Sequence, residues 1–263
     1  NGTRDIAPGE SVRIYHFAGT QHSSGVLPLT DSNPLDGSRG QQPFNSVDYT
    51  PMLRAALTRL DRWVSASEAP PASKHPRVDD GSAVQPTDVA GTFGAIPGAA
   101  FPARAPHLSR LDFGPDTDAG RATTLPVIAG KAYPSLVSAV DQDGNETAGV
   151  VVPDVSVPLA TYTGWNLRHP DMGAPAQIMG LTGSTIPFPP TRAEREASGD
   201  PRRSIEERYD SRDAYLGQVR RASQALVDEG YLLSEDLEGV VEQASRRYDL
   251  FTSRVTEPQV ADD

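Results

Sequence analysis

The chain has 263 residues, enough for one or two domains with a real core, yet only 37% are hydrophobic and 6% aromatic against 24 prolines and 23 glycines. Such a composition implies much turn, loop and short strand. A formal net charge of -11 repels phosphate backbones and anionic lipid, disfavouring nucleic-acid and electrostatic membrane partners, and the absence of cysteine removes disulfides, thiolate nucleophiles and zinc-thiolate or iron-sulfur sites.

No run of about 18 apolar residues suggests a membrane span, and the first residues lack a basic-then-apolar signal pattern. The first residue is Asn1, which raises the expectation that this is a piece of a longer protein. Pro8 and Gly9 predict a turn leading into Val12-Arg13-Ile14-Tyr15-His16-Phe17-Ala18, a β-branched and aromatic run closed by Gly19 that predicts a buried strand. Residues 23 to 46 have little periodicity and predict an ordered surface loop or flap. Thr50 as N-cap with Pro51 at the first helical position opens a helix whose Met52, Leu53, Ala56, Leu57, Leu60, Trp63 and Val64 recur at three- and four-residue steps. One side of it is expected to pack against something large.

From Ala69 to Gly130 proline and glycine dominate (Pro70, Pro71, Pro76, Pro86, Pro97, Pro102, Pro106 and Pro115 among them), predicting an extended arm with few regular elements. Residues 133 to 152 predict strand, turn and strand around Asp141-Gln142-Asp143-Gly144-Asn145-Glu146, and Val155 to Tyr162 a further extended stretch. Thr191 with Glu194, and Ser204 with Glu207, have capping-box spacing. Two longer helices follow, one from near Ser211 to Gly230 with Tyr215, Val219, Ala222 and Leu226 in a stripe. The other starts near Ser234 and carries Leu237, Val240, Val241, Ala244 and Tyr248, and the two predict a helical hairpin.

Chemistry must come from His, Ser, Tyr or carboxylates. His22 follows the strand and its glycine exit, a position at a sheet rim where a ring can reach a reacting partner and serve as general base. His16 shares a strand face with Ile14 and Ala18 and is expected to be a satisfied core histidine. His75 and His107 in proline-rich loops, and His169 before Pro170, are expected to face solvent. Asp141-x-Asp143-Gly144-Asn145 has the look of a calcium loop, but without flanking helices or EF-hand spacing it reads as hairpin-turn chemistry, and no metal is assigned. Trp165, Asn166 and Arg168 offer an aromatic, an amide and a guanidinium for a pocket wall and are candidate substrate-binding residues. The competing expectation is that Trp165 plugs a groove while Arg168 is salt-bridged at its edge. The alternating charges from Arg192 to Arg208 predict a solvated helical surface.

Four stretches carry a resemblance: Val12 to His22, the helix from Tyr49 to Val64, Pro-Leu-Ala-Thr-Tyr-Thr-Gly-Trp-Asn-Leu-Arg from Pro158 to Arg168, and Leu-Thr-Gly-Ser-Thr-Ile-Pro-Phe from Leu181 to Phe188. Together they resemble the C-terminal part of the bacterial alpha/beta hydrolase domain proteins. The resemblance implies an α/β class in which residues 1–68 supply the last strand, the histidine loop and the final helix of the hydrolase core. Residues 69–190 would form an extended and β-hairpin region, and 191–263 a helical region. It also implies hydrolysis of a small-molecule carboxylic ester without a cofactor, with His22 as the catalytic histidine, in a protein of unknown oligomeric state that is exported in some relatives. No G-x-S-x-G elbow is present: Ser184 stands in Thr-Gly-Ser-Thr, Ser38 in Gly-Ser-Arg-Gly, and Ser24 two residues past His22. Nucleophile and acid are therefore expected upstream of Asn1, in a missing N-terminal region that would be this chain's partner. The alternative is a non-catalytic packing module that stabilises that region or another subunit.

Overall fold

A computed structural model describes residues 2–25, 27–103 and 107–253. The order of regular elements is α1 (Thr50–Ala66), β1 (Ala83–Val84), α2 (Pro86–Gly94), β2 (Ser109–Asp112), β3 (Ile128–Ala132), β4 (Val137–Ser138), α3 (Pro153–Ser156), β5 (Ala160–Thr163), β6 (Ser184–Pro187), α4 (Arg192–Ser198), α5 (Ile205–Arg208), α6 (Arg212–Glu229) and α7 (Leu237–Thr252). The strands form three two-stranded antiparallel ribbons, β1 with β4, β2 with β3 and β5 with β6. Helices with small sheets fit the α/β class.

The run from Val12 to Ala18 is extended but pairs only at single points. Tyr15 bridges Lys74 and Phe17 bridges Val150, both in parallel. Consecutive residues thus bond to two different segments, so no continuous ladder forms. Burial also falls short of the expectation: Val12 and Ile14 are exposed and only Ala18 is fully buried.

The first helix forms where its spacing predicts it, with one correction at its start. The N-cap is Tyr49, and the Asp48 carboxylate accepts from both the Thr50 N–H and hydroxyl. Its packing is also unlike the expectation, since Met52 and Ala55 are buried while Leu53, Leu57, Leu60 and Val64 lie on the surface. The leucine face has no cover among the described residues.

The proline-rich arm holds more structure than its composition suggests, although Pro106 lies outside the described residues. Gln85 and Asp88 make a reciprocal cap on α2, with Pro86 in its first turn, and β2 with β3 forms an exposed hairpin. The 133–152 hairpin is corrected too. β4 pairs with β1, and its own continuation turns back through the Val140–Glu146 bridge, with Thr147 N–H donating to Ala139 O. Asp141 Oδ1 accepts from the Asp143 and Asn145 amides, which is the turn chemistry expected of this stretch. The predicted extended stretch from Val155 begins inside the short helix α3 and becomes strand only at Ala160.

Asn145 then turns its buried side chain to β5, donating to Ala160 O (3.0 Å) and accepting from Tyr162 N–H (2.9 Å). The main core gathers Ala18, Val47, Met52, Val150, Leu159 and Tyr162 against Phe188, Ile205 and the inner faces of α6 and α7. α6 runs from its Ser211 cap to left-handed Gly230, and it packs on α7 as the predicted hairpin, burying Tyr215, Val219 and Leu226 against Val240, Val241 and Ala244. Arg247 on α7 makes a buried ion pair with Asp154 on α3. Both capping boxes, Thr191 with Glu194 and Ser204 with Glu207, are present.

The charged stretch between those caps is not all solvated. Arg202 is 3% exposed and donates to Asp200 (2.6 and 3.0 Å), Thr161 Oγ1 (2.8 Å), Ile186 O (2.9 Å) and Pro187 O (3.2 Å). A guanidinium can go inside here because its fork meets a carboxylate and several fixed oxygens at once.

Candidate functional site

The segment from His16 to His22 is held by backbone pairing and then released by a turn. His16 N–H donates to Lys74 O, Ala18 N–H to Val150 O, and Val150 N–H returns to His16 O. Gly19 follows at φ +68°, and a Cβ there would lie 2.7 Å from the Val155 side chain, so the turn requires glycine on two counts. Its N–H donates to Glu146 Oε2 (2.9 Å) and its carbonyl accepts from the buried Asn45 amide (2.7 Å). Gln21 Oε1 accepts from Gly183 N–H, and the Tyr49 hydroxyl, on a ring stacked with Phe17, donates to His22 O.

His22 is thereby delivered exposed, and its ring makes no hydrogen bond or ion pair with a described residue. It borders a cavity of about 690 Å³ whose wall mixes polar side chains such as Gln21, Thr30, Arg39 and Arg168 with apolar ones such as Phe44 and Ile178. The loop of residues 27–46 forms much of this wall and is ordered by its own contacts: Arg39 joins Asp31 (3.0 Å) and Asp171 (2.9 Å), and Gln41 donates to Arg168 O. Ser38 shares the cavity with His22, whereas Ser184 is fully buried with its hydroxyl donating to Trp165 O.

The three other candidate residues separate. Arg168 borders the His22 cavity, but its guanidinium donates to the carbonyls of Met172 (2.8 Å) and Gly173 (3.1 Å), so the expected salt bridge gives way to backbone oxygens. Asn166 is buried and structural, its amide bonded to Gln42 and Gly183 backbone groups. Trp165 packs edge-on against Phe93 (5.2 Å) and Phe101 (5.6 Å) and faces a second cavity of about 760 Å³. His75 lies half-buried on this second cavity, with its Nδ1 2.9 Å from Pro76 O. His169, also half-buried, accepts from Asp171 N–H, so of the three histidines expected in solvent only His107 is exposed.

The second cavity contains a pair that sequence reasoning missed. His16 Nε2 sits 2.6 Å from Glu146 Oε2, and both side chains line the cavity. The Glu146 hydrogen bond and its charge favour the imidazolium and raise the His16 pKa above its ordinary value, against the opposing effect of partial burial. His16 is satisfied, as expected, but half-exposed rather than sealed in the core. A histidine within an otherwise apolar run was the available signal; its partner lies 130 residues away and left none. No group of three or more His, Asp or Glu side chains among the described residues is placed to hold a metal ion, and no described helix is long and apolar enough to cross a membrane.

Small antiparallel ribbons beside helices, and a histidine released by a glycine turn onto a cavity, describe an α/β protein with a concave site. The chain belongs to the alpha/beta hydrolase domain family, whose model matches residues 3–242. No curated protein and no solved structure matches it.

Proposed function

We propose that this chain contributes the general-base histidine to a serine hydrolase acting on carboxylic esters. The observation that carries the reading is the place of His22: at the end of a positive-φ turn, anchored through its backbone, with an unengaged ring open to a cavity of about 690 Å³ of mixed polar and apolar lining. A general base needs a fixed main chain and a free ring nitrogen within reach of the proton it takes. In the reaction, His22 accepts the serine proton as the hydroxyl attacks the ester carbonyl, then returns it to the departing alkoxide. Water repeats the cycle to release the acid.

No described serine or carboxylate engages His22, and the nucleophile and its acid are proposed to lie outside these 263 residues. The uncovered leucine face of α1 supports this arrangement, because a helix that closes a hydrolase core needs sheet to lie on. Arg168 is proposed to border the substrate channel on the His22 side. Trp165 lines the other cavity, and Asn166 acts through the backbone it braces. The same leucine face supports the alternative of a packing module without catalytic duty.

Ester turnover separates the two. With 4-nitrophenyl acetate and butyrate as substrates for the full-length gene product, His22→Ala is expected to lower kcat by roughly 10³-fold or more while folding is retained. Unchanged turnover in that variant would reject the histidine assignment and leave the packing module.

A further inference from the structure

The second cavity is a different place from the one beside His22, and its lining has a distinct chemistry. At about 760 Å³ it falls in the range of small-molecule sites, and most of its wall is apolar or aromatic: Val78, Val89, Phe93, Phe101, Val140 and Trp165. Phe93, Phe101 and Trp165 meet at 5.2 to 5.6 Å between ring centroids, a cluster whose faces and edges suit a flat apolar body.

Beside the buried Tyr162, the groups Arg4, Asp5, His16, His75 and Glu146 interrupt that wall. Both oxygens of Asp5 and one oxygen of Glu146, Oε2, are already engaged. Asp5 accepts the Val78 and Asp79 amides and lies 3.6 Å from Arg77, and Glu146 accepts from Gly19 N–H and His16. His75 Nδ1 is held to Pro76 O. Donor capacity remains open at two points of the wall. Arg4 is exposed and forms no ion pair with a described residue, and His16 Nδ1 is unbonded on the ring edge opposite Cδ2, which packs towards Gly149. In a chain of net charge -11, an apolar cavity bordered by an arginine without an ion pair among the described residues and by an open imidazole nitrogen stands apart from the rest of the molecule.

We propose that this cavity is a binding site for an aromatic carboxylate, its ring among Phe93, Phe101 and Trp165 and its carboxylate against Arg4 and His16 Nδ1. The glutamate behind His16 holds the ring in place and favours the form in which Nδ1 carries a proton to donate. A neutral aromatic molecule of the same shape forgoes both charge-assisted contacts, and a small inorganic anion forgoes the apolar wall. The site does not depend on the role given to His22.

The test is calorimetric titration of the intact protein with 2-naphthoate and with its uncharged counterpart 2-naphthamide, beside Arg4→Gln, His16→Asn and His22→Ala. The carboxylate is expected to bind about tenfold or more tighter than the amide, and Arg4→Gln and His16→Asn should each erase most of that difference. His22→Ala should leave it intact. Binding should also change the emission of Trp165, read in a Trp63→Phe background. Arg4 is exposed near the chain start, so Arg4→Gln keeps the test informative if His16→Asn folds poorly. Equal affinity for acid and amide, no binding at millimolar 2-naphthoate, or affinity indifferent to Arg4→Gln would each overturn the proposal. Loss of binding in His22→Ala alone would place the ligand in the other cavity and overturn it equally.

Discussion

Replacing Arg202 with methionine tests how a buried charge is held in this fold. The guanidinium touches Asp200 through two nitrogens and three further oxygens on β5 and β6, and the two side chains are 2% and 4% exposed. Methionine fills much of the same volume but strands the Asp200 carboxylate, which keeps only the amide of residue 202 as a donor. Removing one partner of a buried pair costs about 3–5 kcal/mol, because the remaining charge stays desolvated without compensation. For a chain of this size that is a fall in Tm of roughly 6–20 °C. The Asp200→Asn, Arg202→Met double variant has no charge left to strand and should recover part of the loss, with a coupling of about 1–3 kcal/mol in a thermodynamic cycle. Urea and thermal unfolding of the four proteins measure it. A single variant within about 1 kcal/mol of the parent, or a double variant as unstable as the two singles summed, would refute the reasoning.

Other outcomes follow from the same contacts. The raised pKa of His16 means its pairing with Glu146 adds stability that is full below the unfolded histidine value and fades as pH rises through the folded one. The stability gap between the parent and His16→Asn should therefore be wider at pH 5.5 than at pH 9, and a gap that widens with pH would contradict the pairing. Gly149 has φ +95° and an added Cβ would meet His16 O at 2.3 Å, so Gly149→Ala should cost more than the roughly 1–2 kcal/mol of left-handed strain alone. Gly239→Ala, in an exposed turn of α7 with open space around it, should instead gain about 0.5–1 kcal/mol, and thermal melts compare the two. Tyr49→Phe removes the hydroxyl that holds His22 O, and with His22 as the proposed base it should lower kcat for ester turnover several-fold with little change in Tm; an unaltered kcat would show that this anchor does not position the ring.

Helices were legible where local chemistry decides them. Thr191 with Glu194, Ser204 with Glu207, and the Ser211 to Gly230 span each carry start or stop signals within a few residues, and the helices form there. Legibility failed where partners are distant. The run from Val12 to Ala18 has strand composition, but whether it joins a ladder depends on Lys74 and Val150, and those supply one bridge each. α2 escaped notice because two glycines and a proline dilute its helical character, and the Gln85–Asp88 cap is less familiar than a serine or threonine one. In the site, the turn before His22 could be read from Gly19 alone. The separation of Trp165 from Arg168 onto two cavities could not, since three residues at the end of a strand look contiguous until the backbone turns between them.

Asn145 has a consequence for how the chain lives beside copies of itself. A two-stranded ribbon leaves its outer amides and carbonyls as a template on which any extended segment can zip up, the first step of edge-to-edge aggregation. On β5 that template is already occupied, because one side-chain amide imitates a peptide unit of a neighbouring strand and satisfies Ala160 and Tyr162 together. A single carboxamide thus serves as a third strand one residue long on the buried β5 edge, while the bridge from Phe44 to Ser184 meets the β6 edge, and the ribbon is closed to strangers without the need to build more sheet.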